Sequence, residues 1–239
     1  MAQAYTKEQM EQAVAEIRSK IADAARRSGR APGDITLCAV CKTRTSETVR
    51  LSARLAVDVF GENHMQELVA HASDGAYCGK DAHFIGHLQT NKVKKVVGLA
   101  SIIQSIDSLH LLQAVDKEAC KRGIVQDILL EVNIGLEESK SGVAPDGLLT
   151  LAESAAAMDG IRIRGLMAIP PAGCDSALAR RYFGQMRELF DKLKAQDLPN
   201  VRADILSMGM SGSYVDAILE GANLVRVGTS IYGPRDYRI

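Results

Sequence analysis

Short apolar runs alternate along this chain with longer stretches whose charges recur at helical spacing. The runs at 36–41, 57–61, 83–86, 101–105, 127–133, 162–167, 203–207 and 224–227 are rich in Val, Ile and Leu and suit strands buried on both faces. The stretches at 47–55, 65–73, 91–99, 109–122, 145–158, 176–196 and 214–220 read as the helices between them, and 7–28 as an amphipathic opening helix. Strands alternating with helices predict a parallel sheet with right-handed crossovers, and eight strands are the count of a (β/α)8 barrel. The expected fold class is therefore α/β: a single TIM-type barrel domain over 1–239, with an extra N-terminal helix. An open doubly wound sheet is the competing architecture. It would carry GxGxxG after its first strand, and the sequence has none there.

A hydrophobic share of 46% over 239 residues is enough for a full core, and no low-complexity linker divides the chain. Lys plus Arg and Asp plus Glu number 29 each, so no global field recruits nucleic acid or an anionic membrane. The opening MAQAYTKEQMEQAVAEIRSK lacks the apolar core of a secretory signal, and no later segment has the length and apolarity of a membrane span. A cytoplasmic protein is expected. Its five irregularly spaced cysteines suit reduced thiols. Cys38 and Cys41 form a CxxC, but inside a strand, where residues three apart face opposite ways, so neither redox chemistry nor zinc is expected of them. His83 and His87 in HFIGH are placed to share a strand face without an acidic or thiol neighbour, and no metal site is expected.

In a barrel of this kind the working residues lie at the C-terminal ends of the strands. In strand order those ends supply Lys42, Glu62-Asn63-His64, His87, Asp107, Asn133, Met167, the run 207–213 and the run 226–230. A lysine at the mouth of a buried strand loses hydration, which favours the amine that attacks carbonyls. The alternative for Lys42 is an ordinary strand-end lysine with an apolar stem and a wet head. The glycine and serine run SMGMSGS leads into a helix and offers backbone N–H groups to a phosphate, and Gly228 and Thr229 follow strand eight to close the same cup. An ordinary capped turn at Ser211 or Ser213 is the alternative there. A strand-end amine facing a phosphate cup across the barrel mouth is what pyridoxal 5′-phosphate requires. Arg226, between the two, is placed to donate to the pyridine nitrogen. An arginine keeps its own proton, so it leaves that nitrogen unprotonated and mutes carbanion chemistry.

The strings AVCKTRT, FGENHMQE, HFIGHLQTNKVK, VNIGLEESKSG, GLMAIPP, FGQMRELF, LSMGMSGS and LVRVGTSIYG cover nearly the whole chain in order. In them the sequence resembles the pyridoxal phosphate homeostasis proteins, which are similar to the barrel domain of alanine racemase. The resemblance implies a PLP fold type III-like barrel without the C-terminal β-domain, with pyridoxal 5′-phosphate held as an internal aldimine on Lys42. It further implies that Asn63 lines the cofactor, that Ser211, Gly228 and Thr229 hold the phosphate and that Arg226 faces the ring nitrogen. Three positions depart from the family pattern: Cys41 stands where Ser precedes the lysine, His64 where Tyr follows Glu-Asn, and Ser213 where Asp follows Met-Ser-x.

The function implied is binding, buffering and delivery of the cofactor to apo-enzymes, without robust catalysis. A monomer is expected, with a dimer as the alternative. An amino-acid racemase is the competing function. It needs proton carriers on both faces of the substrate carbon, with Lys42 on one. The residues nearest to hand for the other are His64 and Tyr214, and a chain ending at Ile239 is expected to lack the β-domain that helps supply this group in alanine racemase. A third possibility is a barrel that binds another phosphorylated metabolite without covalent attachment.

Overall fold

A computed structural model describes residues 5–234. Eight parallel strands close into a barrel in sequence order: β1 (Thr36–Val40), β2 (Val59–Glu62), β3 (Ala82–Phe84), β4 (Ile102–Ile106), β5 (Gln126–Val132), β6 (Ile161–Ala168), β7 (Val201–Ser207) and β8 (Leu224–Val227). Closure is the pairing of β8 with β1, in a register that sets Arg226 beside Cys38. The open sheet is thereby excluded.

Around the barrel lie α1 (Lys7–Arg27), α2 (Ser46–Ser52), α3 (Met65–Ser73), α4 (Val93–Val96), α5 (Leu109–Arg122), α6 (Leu148–Ala155), α7 (Ser176–Lys194), α8 (Tyr214–Leu219) and α9 (Thr229–Tyr232). Two stretches expected to be continuous helices are not. The first opens as a 3-10 turn, Thr90–Lys92, and its α-helix ends at Val96, before Gly98 adopts the left-handed conformation with φ 74°. The second begins as a 3-10 turn at Pro145–Gly147, where proline supplies the fixed φ of a helix start. The short helix α9 was not expected, because its four residues are too few to show a period.

Strand alternation sorts the core into two. On β5, Ile128, Leu130 and Val132 join the large cluster between strands and helices, whereas Leu129 joins Ile102 and Met167 in a small cluster of its own. Side chains that alternate in this way face outward and into the lumen in turn. The outer layer is mostly apolar, with buried Ser52 and His71 contributed by α2 and α3. The lumen is apolar at Ile102, Leu129 and Met167 but also holds buried Gln104, Ser207 and Arg226.

Helix α1 begins with a capping box, Thr6 and Gln9, and buries Met10, Val14, Ile17, Ile21, Ala24 and Ala25 along one stripe. Each large apolar side chain on that stripe contributes about 1.5–3 kcal/mol, so the helix is fixed rather than loosely laid on the barrel. It packs on α8 and α9, the helices that follow the two loops of the candidate phosphate cup. Among the described residues no helix is long and apolar enough to cross a membrane.

Candidate functional site

Lys42, Asn63, Ser211, Arg226, Gly228 and Thr229 line one cleft of about 310 Å³ at the C-terminal mouth of the barrel, together with Val40, Ile85 and Ile169. The volume suits a small metabolite. Its apolar wall and few polar groups are the usual make-up of a ligand site.

Lys42 follows β1 directly, and the chain then turns sharply. Thr43 has φ 62°, a left-handed conformation that a β-branched residue enters only under constraint. The constraint is visible. Glu67 accepts the Thr43 N–H at 2.7 Å, the Arg44 N–H donates to the Cys41 carbonyl at 3.1 Å, and His71 Nε2 lies 3.0 Å from the Arg44 carbonyl. The turn that presents Lys42 is therefore tied to α3 at two points.

Asn63 sits one residue beyond β2, and its side-chain oxygen is buried without a hydrogen-bond partner. Buried polar atoms are rarely left so, which makes this oxygen, on a residue of the cleft wall, a candidate acceptor for a ligand's donor. The wall itself depends on Gly86. A Cβ at that residue would meet the Asn63 carbonyl oxygen at 2.1 Å, so only glycine lets the end of β3 approach this closely.

The two loops across the mouth are stitched by one hydroxyl. Ser211 Oγ accepts the backbone N–H groups of Gly228 and Ser230, each at 3.4 Å. Two amides converging on one oxygen mark a position where an anionic oxygen is well received. Gly209 makes the loop possible. Its φ is 88°, and a Cβ there would lie 2.5 Å from the Ala217 side chain. Ser213 is the N-cap of α8, but its hydroxyl accepts from the Met210 N–H at 3.2 Å instead of capping the helix.

Arg226 is 3% exposed. Its Nη1 donates to Ser207 Oγ at 2.5 Å and its Nη2 to the Ala168 carbonyl at 2.9 Å. Burial draws its pKa down to about 10, against the pull of Cys38 and Glu131, and it remains a cation at neutral pH. A buried donor with no acceptor capacity suits an unprotonated ring nitrogen. An amine, a cup of amides, an orphaned amide oxygen and a buried guanidinium in one cleft fit the groups of pyridoxal phosphate.

Behind the cleft lies a cluster the strand-end pattern gave no reason to expect. Glu62 Oε1 accepts from the Cys41 thiol at 2.8 Å and from the Tyr77 hydroxyl at 3.1 Å, and lies 2.6 Å from His71 Nδ1. Burial and the Glu62 charge hold the Cys41 thiol well above its ordinary pKa. For His71 burial opposes the proton, but the Glu62 hydrogen bond and charge outweigh it and the pKa is raised. The donor atoms of Cys41, Glu62 and His71 lie within 4.8 Å of one another. Two ligands on one tetrahedral zinc stand roughly 3.3 Å or more apart. The spacings from Glu62 here are those of hydrogen bonds. Cys38 faces elsewhere, toward Gly61, and burial pushes its pKa up to about 12.

Other residues named from the sequence lie outside the cleft. His64 stands at the N-cap position of α3 without a side-chain cap bond and lines a neighbouring recess with Gln66 and His87, divided from the cleft by Asn63, and Tyr214 lines a groove on the outer side of the Ser211 loop. His83 and His87 do not share a strand face, because β3 ends at Phe84. His83 is buried against Gln104, whereas His87 is exposed at the mouth, 3.8 Å from Asp107. The sequence held no sign of Glu131, which is 9% exposed and lines a neighbouring recess that shares Asn63, Ile85 and Ile169 with the cleft wall. Burial, with Asp107 nearby and against the pull of Arg226, raises its pKa to about 7.

Residues 13–236 match the family of the alanine racemase N-terminal domain. The chain is 40% identical over 218 residues to a pyridoxal phosphate homeostasis protein of Aquifex aeolicus, covering 91% of this chain and 95% of that one. A crystal structure of an unknown protein from Bifidobacterium adolescentis superposes with a TM-score of 0.89 at 35% identity, covering 94% of this chain and 95% of that one. PipY of Synechococcus elongatus, solved with PLP bound, superposes with a TM-score of 0.78 at 32% identity, covering 89% of this chain and all of that one (100%).

Proposed function

The chain belongs to the alanine racemase N-terminal domain family and, within it, to the pyridoxal phosphate homeostasis proteins, and from this premise we propose that it binds, buffers and delivers pyridoxal 5′-phosphate. The observation that carries this reading is the shared cleft: the amine of Lys42, the converging amides around Ser211 and the buried guanidinium of Arg226 all line one cavity. In the proposed assignment Lys42 attaches to the aldehyde carbon and Asn63 meets the ring face or its substituents. Ser211, Gly228 and Thr229 take the phosphate, and Arg226 donates to the ring nitrogen. Bound in this way, the cofactor supplies an electrophilic carbon and a weak electron sink.

The carrier reading is preferred to a racemase because His64 and Tyr214, the residues named for the second proton carrier, line other depressions. Acid–base catalysis requires the group to be within hydrogen-bond reach of the proton it moves. We place the protein in the cytoplasm, as a monomer that hands its cargo to apo-enzymes. The free state of all five cysteines accords with a reducing compartment.

Purified protein, supplemented with pyridoxal phosphate, should show a visible absorbance band that borohydride reduction fixes to the chain at Lys42 and that Lys42→Ala abolishes. No band after supplementation overturns the reading. Incubation of the loaded protein with single amino-acid enantiomers in heavy water separates carrier from racemase. Exchange of the α-proton at ordinary enzymatic rates, about 1 per second or faster, rejects the carrier.

A further inference from the structure

Four polar side chains form one continuous chain of hydrogen bonds across the barrel lumen. Arg226 Nη1 on β8 donates to Ser207 Oγ on β7 at 2.5 Å, and the Ser207 hydroxyl donates to Gln104 Oε1 on β4 at 2.7 Å. Gln104 Nε2 in turn lies 2.7 Å from His83 Nδ1 on β3. Gln104 and Ser207 are 0% exposed, and His83 and Arg226 only 4% and 3%. In such surroundings every member needs its partner, because a buried polar group left unsatisfied has lost its water without compensation.

The direction of the chain follows from what each group is able to do. Arginine only donates, so the Ser207 oxygen must accept from Arg226 and its single proton must go to Gln104. The Gln104 oxygen is then committed to Ser207, which leaves the amide NH2 facing His83 Nδ1. That nitrogen must be the unprotonated one. Burial, with Arg164 nearby, brings the pKa of His83 down to about 4, in keeping with a neutral ring. His83 is thus the terminus that fixes which way the Gln104 amide points, and through it where the proton of Ser207 is directed. The second anchor of the guanidinium, the Ala168 carbonyl, belongs to β6, so two neighbouring strands, β6 and β7, hold it directly.

We propose that Ser207, Gln104 and His83 are positioning residues for Arg226, locking its guanidinium in one orientation before any ligand arrives and so presenting a fixed donor to the cleft. His83 acts at three removes, through Gln104 and Ser207, and is not among the residues that line the cleft. For the ring nitrogen as the recipient of that donor, the proposal rests on the reading that the cleft takes pyridoxal phosphate; the locking itself does not.

Two measurements test it. The first needs no ligand: nitrogen NMR of the arginine side chains in the unloaded full-length protein. A locked Arg226 gives separate signals for its two terminal nitrogens. Ser207→Ala and His83→Phe should merge them by rotation, and Ser207→Thr, which keeps the hydroxyl, should restore them. Merged signals in the parent protein, or separate signals in all variants, overturn the proposal. The second uses pyridoxal phosphate labelled at the ring nitrogen. Ser207→Ala and His83→Phe should shift the ring-nitrogen resonance and weaken binding about tenfold, while the phosphorus resonance stays in place. An unchanged ring resonance in both bound variants overturns the part that reaches the ligand. If the parent shows a locked Arg226 but takes up no pyridoxal phosphate, the proposed function fails and the locking stands. Should Ser207→Ala not fold, His83→Phe, which is not part of the cleft lining, carries both measurements.

Discussion

The hydroxyl oxygen of Ser211 lies 3.4 Å from the backbone nitrogen of Gly228 and accepts its N–H, joining the loop after β7 to the turn after β8. The same oxygen takes the N–H of Ser230. Under the proposed function, the junction of the two loops is where the phosphate binds. With the two loops already joined through Ser211, little order has to be created when an anion binds at this rim.

Ser211→Ala removes the stitch and one donor to the anion. A hydrogen bond to a charged group contributes about 1.5–3 kcal/mol, so affinity for pyridoxal phosphate should fall by roughly 10-fold to 100-fold. Fluorescence titration measures this. The borohydride-trapped attachment at Lys42 should persist at saturating cofactor, since the amine is untouched.

Glu62→Ala should destabilise the fold strongly. It leaves the Cys41 thiol, the Tyr77 hydroxyl and His71 Nδ1 without their shared acceptor in a buried site. Breaking a buried pair of this kind costs about 3–5 kcal/mol, read as a lowered urea midpoint at unchanged slope. Glu62→Gln keeps an acceptor oxygen and should cost less. Equal stability of the alanine variant and the parent would show that the cluster contributes nothing to folding.

Glu131 makes stability depend on pH in a stated direction. Its folded pKa is raised from 4.5 to about 7, so between those values the folded chain holds a proton the unfolded chain has lost. Stability therefore falls as pH rises through that window and levels off above it. The drop is of order 3 kcal/mol by linkage. Glu131→Gln cannot ionise and should flatten this part of the profile. Denaturant titrations at a series of pH values from acid to neutral decide it.

His64→Ala should leave cofactor affinity within about twofold. The residue lines a recess apart from the cleft, and surface changes of this sort usually stay within about 0.5 kcal/mol. A loss of tenfold or more would place His64 at the ligand after all, and would reopen its candidacy as a proton carrier.

The sequence by itself determined the elements and their ends. Apolar runs of strand length, alternating with helical stretches, are a local signal. Counting eight of them was enough to set Lys42, Asn63, Arg226, Gly228 and Thr229 on one rim, because parallel strands of a barrel all end at the same mouth. Other features depended on distance through space. Ser207 and Gln104 meet across the lumen at a separation of 103 residues, and Glu62 gathers Cys41, His71 and Tyr77 from separate elements. Nothing in a strand's period says which inward polar residue will find which. The tertiary structure also decided where His64 and Tyr214 lie, positions the sequence left open, since each sits where a helix begins and faces wherever that helix turns it. The period of a strand fixes the face of a side chain, whereas its partner is fixed by closure of the barrel, which brings opposite walls within hydrogen-bond reach.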